Sequence, residues 1–325
     1  MKPKERPLAG YLMARAAMHR KVEGSDLKNL RAGHESLQQG SALLPLGRAN
    51  VIQDIEKAKE SYLPVRNTVA SKLREFLVAS HGYPSFTETP RNIRNRVVAA
   101  ASQYVETGTC HSYAASISPL HAAKLPGMKD ERSIVALCNY PGRDHVWPEM
   151  IPKGKREDGT LILHGKDVIM DAWGKENVAI FREDSEYARL DTHGKGDHLN
   201  HHDLLNHRTG PRALKEVKHL RAKIESNRNW KRECDNDIQS LVNSGINVGE
   251  KGRRNAESVF HADFQERAGR ALHKDAKHAS LAEIQAIGVA RSLGSNIRGA
   301  KAEAPEIIAS AKEMFSRPRP NQGRR

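Results

Sequence analysis

The 325-residue chain has only three cysteines, Cys110, Cys138 and Cys234, and no two of them form a CxxC pair. So few and so scattered, they exclude a disulfide framework and point to a reducing working compartment. They also argue against a structural zinc site of the usual kind. Aromatic residues make up 5% of the chain, and no finger, recognition helix or aromatic platform stands out. A nucleic-acid partner is therefore not expected, although the sequence pI is about 9.7. No apolar run approaches the ~20 residues a membrane-spanning helix needs. The opening MKPKERPLAG lacks an apolar stretch before a small-residue cleavage site, so no conventional secretory signal is expected.

Charge is abundant but unevenly placed. The formal net charge is +14, yet residues 85–190 are balanced and the excess lies on the two flanks. Basic flanks suit acidic partners, and they also suit ordinary solvated helix faces.

The neutral middle holds the chemistry. Cys110 follows a Gly-Thr break and opens the helix-like run HSYAASISPLHAAKL, so it falls at a helix N-terminus, where the macrodipole favours a thiolate. His145 follows the strand-like Ser133–Tyr140 and a Pro141-Gly142 turn. Asp171 stands among Val168, Ile169, Met170 and Trp173, an acid on an otherwise buried strand that needs a partner. A thiol nucleophile requires a base, and the base requires a third group to orient it. Cys110, His145 and Asp171 supply those three types in that order. The expectation is a thiol-dependent acyl-transfer enzyme (protease, glutamine deamidase or transglutaminase) that needs no cofactor and no metal.

Weaker readings surround these three. Gln103, seven positions before Cys110, is either an oxyanion donor or an ordinary helix side chain. Asp144, Asp167 and Asp184 are rivals for the orienting role, Cys138 reads as core, and Trp173 as packing beneath the site. His193, His198, His201, His202 and His207 crowd residues 191–210. His198 and His202 are spaced for one helical face, but no further ligand completes a metal set.

The organisation expected is α+β, with a nucleophile helix followed by antiparallel strands over 133–140, 161–164, 168–173 and 178–181. Residues 1–47 read as a largely disordered leader, suited to export, with a short helix around Leu8–Lys21. Residues 48–190 read as the enzyme core, opening with helices joined near Pro64 and one starting after Pro90. Residues 191–210 read as a His-rich linker, 211–315 as a helical C-terminal region and 316–325 as a disordered basic tail.

The segment DVIMDAWGKENVAIFREDSEYA, the glycine-preceded cysteine, and Asp144-His145 ahead of Trp147 resemble bacterial type III effectors of the AvrPphE/HopX class. These are similar to the papain-like and transglutaminase-like cysteine enzymes. The resemblance covers roughly residues 85–190. It implies a papain-like or transglutaminase-like core, with Cys110 as nucleophile, His145 as base and Asp171 as orienting acid. It also implies secretion by a non-classical route into a host cell cytosol and a host protein as substrate. The alternative is a non-catalytic adaptor that binds host proteins through its basic helical regions.

Overall fold

The computed structural model describes residues 1–58, 62–140, 144–190, 200–244, 254–275 and 279–315. Its first helix, α1 (Arg6–Ala17), is apolar on nearly every side, and each residue from Leu8 to Arg15 is buried. Such a helix must be enclosed by other elements. Arg15 is the one cation inside it, 1% exposed, and its guanidinium meets Asp184 and, at 2.9 Å, Glu183. Tyr11 Oη donates to Asp184 Oδ2 at 2.6 Å, and Arg20 Nη1 donates to Asp184 Oδ1 at 2.9 Å. These partners make the buried charge tolerable.

A second helix, α2 (Gly24–Ala42), follows and buries Leu30, Gly33, Leu37 and Gly40. The largely disordered leader expected over residues 1–47 is thus corrected to two packed helices, the first where the short helix was placed. A helix surrounded on most sides has little amphipathic period, and weak periodicity is what suggested disorder.

The short strand β1 (Gly47–Arg48) leads to α3 (Ile52–Lys57) and α4 (Leu63–Ala79), the two pieces expected around Pro64. Pro64 lies in the first turn of α4, where its missing N–H is no loss. Next, α5 (Arg91–Val105) starts directly after Pro90. Strand β2 (Thr107–Gly108) pairs in parallel with β1, and α6 (Cys110–Ala122) leaves from it. Ten of the thirteen residues of α6 are buried, so it is the central helix. Helix α2 approaches it closely: a Cβ at Gly40 would lie 2.2 Å from Ile117 Cγ1.

A single turn, α7 (Leu125–Met128), precedes the sheet. Strands β3 (Ile134–Tyr140), β4 (His145–Ile151), β5 (Val168–Ile169), β6 (Ile180–Phe181) and β7 (Asn200–Leu205) lie in the order β6-β5-β4-β3-β7. Every neighbouring pair is antiparallel. The protein is α+β, and α6 packs against β3 and β4.

Two strand expectations need correction. Leu161–His164 forms no strand; only Leu161 bridges, to Lys155 across the Gly159 turn, and the rest lies half-exposed with no sheet face to bury. The strand expected over 168–173 ends at Ile169, because Asp171 turns its carboxylate back to accept the Trp173 N–H. The linker over 191–210 is also corrected in part. Residues 200–205 form the edge strand β7, held by its ladder to β3 rather than by apolar alternation. His193 and His198 lie outside the described residues. His202 stands on strand β7 rather than on a helix, and His198, its expected i, i+4 partner, is among those undescribed residues.

The C-terminal region is helical, as α8 (Thr209–Ser226), α9 (Arg228–Asn243), α10 (Ala262–Asp275), α11 (Ala279–Ser292) and α12 (Ile297–Phe315). It packs in two places. Val217, Leu220, Ile224 and Cys234 join Leu73, Leu77 and Val98 in one apolar cluster, with Phe76 stacked on Trp230 at 5.5 Å. Phe260, Phe264 and Phe315 instead gather around Tyr11 of α1, with ring centroids 4.9 to 5.9 Å apart. The tail over 316–325 lies outside the described residues.

Candidate active site

Local geometry sets Cys110 at its post. Helix α5 ends where Glu106 takes a left-handed conformation (φ 64°), and the two-residue ladder of β2 on β1 fixes the chain's direction. Thr109 is extended, and Cys110 is the first residue of α6. Gly108 is required here: a Cβ would sit 2.2 Å from Ser112 Cβ. The thiol is free and half-exposed, and it stands at the positive end of a buried helix.

His145 opens β4 after a tight reversal from β3, with Tyr140 and His145 as register partners and Asp144 left-handed at φ 46°. Its ring is boxed by aromatic residues. Trp147 lies 5.7 Å away and nearly parallel, Tyr187 at 6.1 Å, and Trp173 tilted at 6.2 Å. Trp147 and Tyr187 themselves stack at 3.8 Å. The imidazole Nε2 donates to Asp171 Oδ2 at 2.9 Å, and the Cys110 side chain is near enough to bear on the charge of the same ring. With Nε2 committed to the carboxylate, Nδ1 is the nitrogen that remains for sulfur.

Asp171 is 3% exposed and fully engaged. Its Oδ2 also accepts from Tyr187 Oη at 2.6 Å, and its Oδ1 accepts from the Trp173 N–H at 2.8 Å. Burial pushes its carboxyl up, but the imidazolium and the three donors outweigh this and hold it below the usual carboxylate range. Burial likewise disfavours the charged His145 ring. The Asp171 charge, its hydrogen bond and the Cys110 thiol overcome this and raise His145 to about 10.

The structure brings together Cys110, His145 and Asp171, with Trp173 packed at the ring as expected. It separates the weaker candidates. The Gln103 expectation is corrected: its amide Nε2 donates to Ser116 Oγ at 3.3 Å inside the helix layer, not toward the cysteine. Ser116 lies more than a turn along α6, so that donor is directed away from Cys110. Asp144 is 96% exposed, 3.7 Å from Arg254. Asp167 accepts the His164 N–H at 2.7 Å, and burial together with nearby Glu149 pushes its carboxyl up to about 8. Asp184 belongs to the Arg15 cluster. Cys138 is in the core and donates to Glu149 Oε2 at 3.3 Å.

Cys138, Glu149 and His201 lie close enough to share a metal ion. However, Arg182 already clamps both Glu149 oxygens, at 2.6 and 2.7 Å, and burial raises the Cys138 thiol further from ionisation. That donor set is occupied by a cation of the protein's own.

Two contributions escaped the sequence reading. Tyr187 sits in a short turn whose entry is capped by Ser185 Oγ, which accepts the Tyr187 N–H at 3.2 Å. The Ser-Glu-Tyr run was a capping signal that could have flagged it. The second is the segment 254–260, which closes one wall of a 550 Å³ cleft beside His145 and Asp171. It is stitched in by backbone bonds, including Ile52 N–H to the Arg254 carbonyl and Glu186 N–H to the Val259 carbonyl, both 3.0 Å. Arg254, Asn255 and Glu257 from this segment face the cleft with Glu186.

Compared with protein-family models, curated proteins and solved structures, the chain matches none. Among the described residues, no helix is long and apolar enough to cross a membrane.

Proposed function

We propose that the protein is a thiol-dependent acyl-transfer enzyme acting on amide groups of proteins, with Cys110 as nucleophile, His145 as its proton partner and Asp171 as the orienting acid. The observation that carries this reading is the convergence of a helix-terminal thiol, an imidazole and a buried carboxylate, each from a different element. A helix-borne nucleophile against an antiparallel sheet that carries base and acid also fits a papain-like or transglutaminase-like layout. The resemblance to type III effectors extends the reading to a host protein as substrate, reached after secretion into the host cytosol.

His145 takes the Cys110 proton as the sulfur attacks, and Asp171 holds the ring in place for that transfer. The thiolate adds to the carbonyl carbon, and the first-turn N–H groups of α6, which have no acceptor within the helix, face the developing oxyanion. The tetrahedral species collapses as the imidazolium gives its proton to the leaving nitrogen, leaving a thioester. His145, now neutral, takes a proton from water or from an amine as that group attacks the thioester. Water completes hydrolysis or deamidation, and an amine completes crosslinking.

The test pairs reactivity with outcome. At pH 7, iodoacetamide should label Cys110 well before Cys138 and Cys234. The latter two are buried, with thiols raised by burial, Cys234 to about 11. Host extract exposed to the protein and to Cys110→Ala should then be compared by mass spectrometry for deamidated, crosslinked or cleaved proteins. The proposal fails if Cys110 labels no faster than the other two, or if both forms produce the same changes; an adaptor would retain its effect without the thiol.

A further inference from the structure

We propose that a cavity between the N-terminal segment and the end of α11 binds a small, multiply charged oxyanion. Compounds carrying two phosphoryl groups are the class that fits. The cavity measures about 540 Å³, within the range of small-molecule sites, and lies at the edge of α2. Lys2, Lys4, Lys28 and Arg31 line it, so the positive charge noted on the N-terminal flank is focused in one concave place.

Among the described residues, none of these four cations meets a carboxylate. Lys28 Nζ donates to the Met128 carbonyl at 2.8 Å, and Arg31 Nη2 donates to the Leu293 carbonyl at 3.2 Å. Those acceptors are neutral and leave the charge uncompensated. The two acids on the lining are otherwise engaged. Glu5 accepts the Lys2 backbone N–H at 3.1 Å, and Glu35 pairs with Lys124 at 3.2 Å. Four cations against two carboxylates leave the space net positive, and an anion relieves that excess.

The walls come from residues 2–8, α2, Met128 and Leu293, parts of the chain far apart in sequence. A ligand there ties both ends of the chain to α2, which itself lies on the nucleophile helix. Binding is independent of the thiol, so failure of this proposal and of the enzymatic one can be told apart.

The experiment is titration calorimetry and thermal melting of the full chain with fructose 1,6-bisphosphate and with inorganic pyrophosphate at low salt. Fructose 1,6-bisphosphate should bind and raise the melting temperature, and Cys110→Ala should bind it equally. The Lys28→Gln/Arg31→Gln variant should bind about tenfold more weakly or worse. Lys215→Gln/Lys218→Gln, which loses the same charge from the exposed face of α8, should bind normally. Pyrophosphate, which carries the same kind of charge, should bind there too and be weakened by the same double variant. Vesicles carrying a phosphorylated inositol headgroup form a further arm; capture lost in Lys28→Gln/Arg31→Gln would assign the same site to a lipid headgroup. No binding of either probe at millimolar concentration, or equal weakening in both double variants, overturns the site.

Discussion

Tyr187 Oη and His145 Nε2 donate to the same oxygen of Asp171, at 2.6 and 2.9 Å. The tyrosine therefore acts on the imidazole through the carboxylate, fixing the plane in which Asp171 presents its lone pairs. Tyr187→Phe keeps the stack on Trp147 but removes one of three donors to a buried charge. It should lower kcat severalfold to tenfold with little change in KM, and cost about 1–3 kcal/mol of stability. Steady-state kinetics and urea unfolding check both. A selective rise in KM would show that Tyr187 serves the substrate rather than the acid.

Asp171→Asn removes the charge that holds the His145 proton. The ring should then titrate near or below its ordinary value instead of near 10. Turnover should fall roughly 10²- to 10⁴-fold, the range associated with a disabled acid–base partner. Ring-nitrogen NMR of labelled histidine reads the titration directly. A ring that titrates near 6.5 in the unaltered protein would remove the basis for a pre-formed ion pair.

The same shift has a stability consequence. His145 binds its proton more tightly in the folded state than in the unfolded one, so its contribution is whole below about pH 6.5. It declines as pH rises toward 10 and is gone above that. Asp171 is shifted the other way: its contribution is present above its ordinary value of 3.8 and is lost as pH falls through its lower folded value. The stability gap between the unaltered protein and His145→Gln should thus be largest between about pH 4 and 6.5 and close by pH 10. A gap that widens with rising pH would reverse the assignment.

How much of this was legible depended on whether a residue's role was written in its local surroundings. Cys110 follows a Gly-Thr break, His145 comes shortly after a Pro-Gly pair in the sequence, and Asp171 is an acid in an apolar run, so each was conspicuous where it stood. Tyr187 was not, because an aromatic residue in a short capped turn looks the same whether its hydroxyl meets water or a buried acid. The wall from Arg254 to Val259 has no period, and its place beside the site comes from backbone bonds to residues about 70 and 200 positions earlier in the chain. Helix α1 misled for the opposite reason, since burial on nearly all sides erases the amphipathic stripe that marks a surface helix. Gln103 was rightly placed on a helix, but only the packing of α5 on α6 decides that its amide meets Ser116.

Gly108 is set by contact rather than by turn type. Gly108→Ala would drive a methyl group into Ser112 Cβ, and relief requires the first turn of α6 to move. The cost should be about 1–3 kcal/mol, as for other overpacked sites. Iodoacetamide labelling of Cys110 should change with it, because the displaced turn carries the thiol. Unchanged stability and labelling would mean that β2 shifts freely.

The last prediction links the N-terminal helix to the site. Arg15 and Asp184 are 1% and 0% exposed, and Asp184 stands three residues before Tyr187. Arg15→Ala strands a buried carboxylate with only Tyr11 and Arg20 beside it, and removing one partner of such a pair costs about 3–5 kcal/mol. Arg20, 30% exposed, should matter less, and Arg20→Gln should cost under about 1 kcal/mol. Because the strained segment continues into the turn that holds Tyr187, Arg15→Ala should also reduce turnover at temperatures where the variant remains folded. Chemical denaturation and kinetics on the same samples separate the two effects. If Arg15→Ala unfolds at the same denaturant concentration as the unaltered protein, the Arg15–Asp184 pair does not anchor α1 to the fold.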